Sequence, residues 1–265
     1  MKYAFSTLGL PGTPLARSSA LAAEHRYDGL ELRAHPEEPL HAGSPRGDRA
    51  TALRAVTAAG VRVLGVAGYA RVAAAGEDEP VIDEVRALVR LAADLEAPFV
   101  RVFPGGGGLP PDRADANAVR RLREAAPFAD RHGVRILLET HDSHRGAAAT
   151  ARVLHEVGHP AAGALWDVLH TWLEGEPAPE SRRHLGEHLG YVQVKDVTSA
   201  HDLTPIGLGD GVLPLAEAVA SAPAAGWLCW EYERRWYPDA AEFAGRLGEG
   251  REYLERLVTH GHRAE

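Results

Sequence analysis

The segment RILLETHD (135–142) contains the pattern on which the predicted fold rests, a short apolar run that ends in a metal-capable residue, Glu139. Three later segments repeat it: GALWDVLH (163–170), YVQVKD (191–196) and WLCWEYE (227–233). Short apolar runs bounded by polar residues are typical of buried parallel strands. Parallel strands in one barrel bring their carboxyl ends to the same face, so we expect these four strand ends to meet there.

The rest of the chain extends this pattern, because strand and helix patterns alternate throughout and no stretch has the composition of a domain linker. The predicted strands cover residues 2–8, 27–33, 61–69, 97–103, 134–139, 163–167, 191–195 and 227–231. The predicted helices cover residues 13–26, 48–60, 79–96, 113–132, 146–157, 179–189, 213–221 and 239–258. Eight strand–helix pairs in 265 residues predict an α/β protein with one domain, a (β/α)₈ TIM barrel over residues 1–265.

Composition and charge restrict the classes of function. Hydrophobic residues make up 45% of the chain and charged residues 25%, as in a globular protein with a sizeable core. The net charge of -8 argues against a nucleic-acid partner, because binding to phosphates requires basic patches. No apolar stretch reaches the roughly 18 residues of a membrane span. The single cysteine, Cys229, excludes an internal disulfide, and no signal peptide is recognisable, so we expect a cytoplasmic protein with no membrane partner.

The strand ends supply a candidate site of three acidic residues and one neutral oxygen donor, namely Glu139, Asp167, Gln193 and Glu231. Carboxylates that converge without a cation would repel one another and raise one another's pKa. Oxygen donors suit Mn²⁺ or Mg²⁺ better than Zn²⁺, although a contribution from His141 or His170 would shift the preference toward Mn²⁺ or Co²⁺. We therefore expect one divalent metal ion, Mn²⁺ or Mg²⁺ first, with Co²⁺ and Zn²⁺ left open.

Such an ion would polarise a carbonyl or hydroxyl group of a bound sugar. Two carboxylates on opposite sides of that substrate could then remove and return a proton at the carbon next to the carbonyl. This chemistry predicts an isomerase or epimerase of a sugar or small polyol ketone. The substrate itself, and whether it carries a phosphate, stay open because one fold serves many substrates.

Five motifs resemble the sugar phosphate isomerase/epimerase family of the xylose isomerase-like TIM-barrel superfamily: ETHD (139–142), LWDVLH (165–170), QVKD (193–196), IGLGDG (206–211) and GWLCWEYE (226–233). The resemblance covers essentially the whole chain and is strongest from Ile136 onward. It implies one divalent ion at the ends of strands five to eight, with the two glutamates, Glu139 and Glu231, also acting as the acid/base pair. It also implies a homo-oligomer, because members are often dimers or tetramers.

Other residues have candidate roles around the substrate. The resemblance implies that Arg101, at the end of the fourth strand, faces the substrate and that His170 lies near it. His141 shares the inward face of its strand with Glu139 and is a further candidate substrate contact. Glu31, at the second strand, either lines the pocket or forms an ion pair with Arg33.

Lys195 lies on the inward face by strand parity and is one of two lysines in the chain. It is either a substrate or Schiff-base lysine, or the ion-pair partner of a carboxylate such as Glu231 or Asp196. Gln193 departs from the family, in which the seventh-strand ligand is usually histidine. Because an amide oxygen binds metals more weakly than imidazole does, Gln193 puts the metal affinity in doubt.

Three alternative functions follow. A dehydratase of an inosose- or dehydroshikimate-like ring would use the same proton abstraction, followed by loss of hydroxide. A catalytically silent sugar-binding barrel is motivated by Gln193. A DNA-repair nuclease is disfavoured, because the third and fourth strands offer no histidines for further zinc ions and the charge has the wrong sign.

Overall fold

The structure is a computed structural model in which residues 1–261 are described. Eight strands in these residues close into a parallel barrel: β1 (Lys2–Ser6), β2 (Gly29–Arg33), β3 (Arg62–Arg71), β4 (Phe99–Phe103), β5 (Arg135–Glu139), β6 (Ala162–Asp167), β7 (Leu189–Val194) and β10 (Trp227–Trp230). Each strand pairs with the next barrel strand along the chain, and β10 pairs with β1. The predicted TIM barrel is confirmed.

Helices follow the barrel strands and cover them: α1 (Leu15–Glu24), α2 (Arg46–Ala58), α3 (Asp78–Asp94), α4 (Pro111–Arg131), α5 (Ala147–Val157), α6 (Val168–Leu173), α7 (Ala178–Leu185), α8 (Leu215–Ser221) and α9 (Leu247–Gly261). Their buried faces and the outer faces of the strands form the main hydrophobic core. Within residues 1–261, no helix combines the length and the apolar character needed to cross a membrane.

Three elements differ from the sequence prediction. The glycine-containing loop over residues 196–211 includes an antiparallel pair, β8 (Val197–Ser199) and β9 (Asp202–Pro205). The short helix α6 follows β6 directly and is capped by the side chain of Asp167, which accepts a hydrogen bond from the Leu169 amide at 2.9 Å. The last helix begins at Leu247 rather than at residue 239, because Phe243 is fully buried against the Phe5 and Trp230 rings before the helix begins.

The interior of the barrel consists of two layers. The lower layer is an apolar cluster, separate from the main core, of Ala4, Leu64, Leu137, Leu165, Tyr191 and Cys229. Side chains alternate along a strand, so the residue two positions further on also points inward. The upper layer therefore begins at the strand ends with Glu139, Asp167, Gln193 and Glu231, as the predicted strand parity requires.

Two glycines allow the lower layer to pack closely around Leu137. A Cβ atom on Gly190 would lie 2.5 Å from the Leu137 side chain. A Cβ atom on Gly163 would lie 2.5 Å from the Arg135 guanidinium and 2.6 Å from the His188 carbonyl oxygen. The bottom of the site is therefore a closely packed apolar floor.

Candidate active site

The upper layer brings the predicted site residues to one end of the barrel and buries them. The four predicted ligands are at most 4% exposed. Glu31 from β2 and Arg101 from β4 complete the ring, and Lys195 follows β7 directly. Only paired or hydrogen-bonded charges persist at such burial, so the pairing of these groups determines what the site can do.

Lys195 lies among three carboxylates. Its Nζ atom is 2.7 Å from Asp167 Oδ2 and 2.7 Å from Glu233 Oε1, and it also contacts Glu231 Oε2. Burial alone would lower the pKa of Lys195, but the three carboxylates outweigh it and raise that pKa well above its usual value. Lys195 is therefore a charged ion-pair partner of Glu231, one of the two partners expected, and not a neutral amine available as a nucleophile.

Gln193 acts as a hydrogen-bond donor. Its Nε2 atom donates to both carboxylate oxygens of Glu31, at 2.8 and 3.1 Å, and to Glu231 Oε1 at 3.2 Å. The Tyr191 hydroxyl also donates to Glu31. Burial raises the pKa of Glu31, and the nearby Glu231 carboxylate raises it further. Glu31 is thus fully buried and holds the Gln193 amide in place, and it makes no ion pair with Arg33, whose partners are Glu37 and Glu38.

Glu139 and Arg101 form a second buried pair. Arg101 Nε is 3.0 Å from Glu139 Oε2, and Arg101 Nη1 donates to the Gly68 carbonyl at 2.9 Å. The guanidinium also lies over the Phe103 ring, 3.9 Å from its centroid. Burial raises the pKa of Glu139 to about 8, although Arg101 and His141 act in the opposite direction. A carboxyl group in this environment can exchange a proton near neutral pH.

His141 and His170 lie beside Glu139 at the more accessible edge of the site. Their ring centroids are 4.0 Å apart, and the ligand atoms of Glu139, His141 and His170 all lie within 4.8 Å of one another. Burial, with His141 and Lys195 nearby, holds the pKa of His170 well below its usual value, so its imidazole is neutral, as metal binding requires. The pKa of His141 is raised: burial opposes this, but the bond to Asp142 and the Glu139 charge outweigh it.

The described residues therefore offer a metal-capable trio, Glu139, His141 and His170, that shares one residue with the four predicted ligands. In the predicted set, Asp167 and Glu231 already face the Lys195 ammonium, and Gln193 directs its amide protons at carboxylates. In this arrangement a cationic side chain lies where the predicted ligands converge, while Gln193 Oε1 and Asp167 Oδ2 make no hydrogen bond. The trio offers two imidazoles and a carboxylate, which are common ligands of Zn²⁺ and of similar ions.

Asp196 anchors the loop that follows β7. Its carboxylate accepts backbone N–H bonds of 2.9–3.2 Å from Val197, Gly209, Gly211 and Leu213. A Cβ atom on Gly211 would lie 2.2 Å from Asp196 Oδ1, so only glycine fits there. The sequence prediction missed this role; its signal was the acidic residue directly after the strand, followed by a glycine-rich segment.

Comparison with known proteins identifies the family of the chain. The family model described as xylose isomerase-like TIM barrel matches residues 19–257. The chain belongs to the xylose isomerase-like TIM barrel family. This membership agrees with the resemblance found in the sequence. Among curated proteins, no sequence matches the chain significantly.

Solved structures of the same fold include proteins with several chemistries. The probable 3-DHS dehydratase AsbF from Bacillus anthracis is 18% identical, with a TM-score of 0.80 over 96% of this chain and 99% of the other. The IOLI protein with a bound zinc atom is 16% identical, with a TM-score of 0.81 over 98% and 99%. An L-ribulose 3-epimerase is 17% identical, with a TM-score of 0.81 over 100% and 97%. At these identities the likeness establishes the fold alone.

Proposed function

We propose that this xylose isomerase-like barrel is an isomerase or epimerase of a sugar or small polyol ketone, and that it transfers a proton at the carbon next to the substrate carbonyl. The observation that carries the proposal is the pair of buried glutamates, Glu139 and Glu231, at the same end of the barrel, each in contact with a cation. A carboxyl pair in different electrostatic environments is suited to acid/base chemistry, because one group can hold a proton while the other accepts one.

The two glutamates divide the proton transfer between them. Glu231, ion-paired with Lys195, is the carboxylate that removes the proton from the substrate carbon. The electron pair moves to the carbonyl oxygen, and the adjacent cations, Arg101 and Lys195, stabilise the resulting enediolate. Glu139, whose pKa is raised to about 8, carries a proton near neutral pH and returns it to carbon. His141 and His170, which are partly exposed, contact the substrate hydroxyls from above.

With Glu139 ionised and both histidines neutral, the Glu139, His141 and His170 trio could hold a divalent metal ion. When bound, it would supply Lewis-acid polarisation of the substrate carbonyl. The two histidines favour Zn²⁺, Co²⁺ or Mn²⁺ over the Mg²⁺ expected from oxygen ligands alone. The IOLI structure, which contains zinc, supports the idea that this fold accepts such an ion.

A dehydratase is the second candidate. Abstraction of the same proton, followed by departure of hydroxide from the neighbouring carbon, would give an unsaturated product. The probable 3-DHS dehydratase among the structural neighbours favours this alternative over a silent sugar-binding barrel. Absorbance separates the two reactions, because an unsaturated carbonyl product absorbs in the ultraviolet and an epimer does not.

The decisive experiment measures exchange of substrate carbon-bound hydrogen with deuterated water over a panel of ketoses, inososes and dehydroshikimate. We expect Glu139→Gln and Glu231→Gln each to lower the exchange rate by about 10²- to 10⁴-fold, the usual loss on removing an acid/base group. The control is Glu180→Gln, a change to a partly exposed residue on α7 outside the site. Wild-type exchange rates in both site variants would refute the assignment, and ligand binding without any turnover would favour the silent barrel.

A further inference from the structure

We propose that the Lys195 ammonium takes the place of a divalent cation among Asp167, Glu231 and Glu233. It follows that any metal ion bound in this site is held by the Glu139, His141 and His170 trio, and not between Asp167 and Glu231.

The Lys195 ammonium occupies the space among the carboxylate oxygens that an ion would need. An ammonium group has three N–H donors. Lys195 donates hydrogen bonds to Glu231 and, at 2.7 Å, to Glu233, and its Nζ also lies 2.7 Å from Asp167 Oδ2. Lys195 is only 3% exposed, so water competes little for these contacts. A divalent ion bound at the usual 2.0–2.6 Å would require the oxygens of Asp167 and Glu231 that Lys195 already contacts. It would also lie next to a buried positive charge.

The backbone on both sides of Lys195 is held in place. On one side, the Val194 carbonyl in β7 accepts the Glu231 amide at 3.0 Å. On the other side, Asp196 accepts four backbone N–H bonds from the following loop. Because the backbone is held in place, an ion could enter only if the Lys195 side chain moved away from its three carboxylate partners.

The choice of residue supports the same inference. The chain uses arginine for nearly all of its positive charge, and Lys195 is one of only two lysines. A guanidinium is a planar fork that matches a single carboxylate, whereas an ammonium is a compact charge with three diverging donors. Three carboxylates that converge on one point therefore require lysine, and the sequence has lysine at this position.

The location of a metal ion can be tested without an activity assay. Equilibrium dialysis and elemental analysis would measure the binding of Mn²⁺ and Zn²⁺ to the intact wild-type chain, to Glu231→Gln and to His170→Ala. We expect ion affinity to change little in Glu231→Gln and to fall by more than about tenfold in His170→Ala. A wild-type chain that binds neither ion would overturn the trio as a metal site. A loss of about tenfold or more in Glu231→Gln would overturn the proposal.

A second variant tests the exclusion directly. Lys195→Met keeps the side chain as far as the Cε position and removes the charged Nζ, which frees the three carboxylates. We expect saturating Mn²⁺ to raise the melting temperature of Lys195→Met by about 5 °C or more beyond any rise in the wild type. The extra rise should disappear in Lys195→Met/Glu231→Gln. A Lys195→Met chain that gains no Mn²⁺ response would refute the proposal, and if this variant does not fold, the comparison of wild type with Glu231→Gln still decides.

Discussion

The lower and upper layers of the barrel interior are built by the same strands, two residues apart, and their chemistry is opposite. Leu137 lies in the apolar floor and Glu139 in the charged layer above it; Cys229 and Glu231 are related in the same way. Burial of apolar surface stabilises the lower layer. The upper layer incurs a desolvation cost that its ion pairs offset only in part. A step of about 7 Å along a strand therefore separates the part of the interior that stabilises the fold from the part suited to chemistry.

The largest effect on stability should come from removing the cation of the upper layer. Lys195→Met leaves the buried Asp167 and Glu231 and the partly buried Glu233 without their cation. We expect a loss of about 3–5 kcal/mol in the free energy of unfolding without added metal. Urea denaturation measures it. The matched control is Lys2→Met, since Lys2 is exposed and its Nζ lies 5.2 Å from the Trp227 ring centroid, a contact worth about 1 kcal/mol or less. Equal losses in the two variants would contradict the view that Lys195 balances the carboxylate charges of the upper layer.

A substitution in the lower layer should lower the stability of the chain and leave its turnover unchanged. Leu137→Ala leaves a cavity in the closely packed floor, and we expect a loss of about 3 kcal/mol. Turnover per folded molecule should stay within about twofold of the wild type, because the paired carboxylates one step above keep their partners. Urea denaturation and turnover assays, both well below the melting temperature, check the two parts of this prediction. A large loss of turnover in folded protein would mean that the two layers are coupled.

Tyr191 joins the two layers, because its ring lies in the apolar floor and its hydroxyl donates to Glu31. Tyr191→Phe leaves Glu31 with one donor fewer, and we expect a loss of about 1–2 kcal/mol in unfolding free energy. Tyr27→Phe is the control: its buried hydroxyl donates to a neutral acceptor, the Leu247 carbonyl, at 3.0 Å. The loss should be smaller there. The reverse order would argue against a polar bond that ties the floor to the charged layer.

The last effect that we predict is a change in the pH dependence of stability. The pKa of Glu139 rises from 4.5 to about 8 on folding, so the folded chain holds this proton more tightly than the unfolded chain. Its contribution to stability is therefore fully present below pH 4.5 and is lost as the pH rises through about 8. Glu139→Gln should flatten the fall in unfolding free energy across this window, as measured by urea denaturation at successive pH values. An unchanged slope would mean that other groups dominate.

The barrel was predictable from the sequence because buried parallel strands are short apolar runs. Strand parity also placed Leu137 on the same face as Glu139 and Tyr191 on the same face as Gln193. The β8–β9 pair was not predictable, because its short strands show no clear alternation. The start of α9 depends on Phe243, whose burial against Phe5 is a tertiary contact that no local pattern indicates.

The site was predictable in its residue types and location but not in its pairing. Acidic residues at successive strand ends predicted a cluster at one end of the barrel, and the structure brings these residues together there. That Lys195 reaches Asp167 and Glu233 together depends on distances between three different strand ends. The approach of His170 to His141 depends on α6, which begins directly after the capping residue Asp167. Such contacts between distant parts of the chain leave no trace in local spacing.

Cys229 can serve as a chemical reporter on the floor of the barrel. It is the only cysteine in the sequence, and its side chain is completely buried. Burial also raises the pKa of its thiol well above the usual value, so the reactive thiolate is scarce in the folded state. A thiol reagent can therefore modify the chain only when the floor opens. The rate of Cys229 labelling therefore measures how often the barrel opens, without an engineered probe.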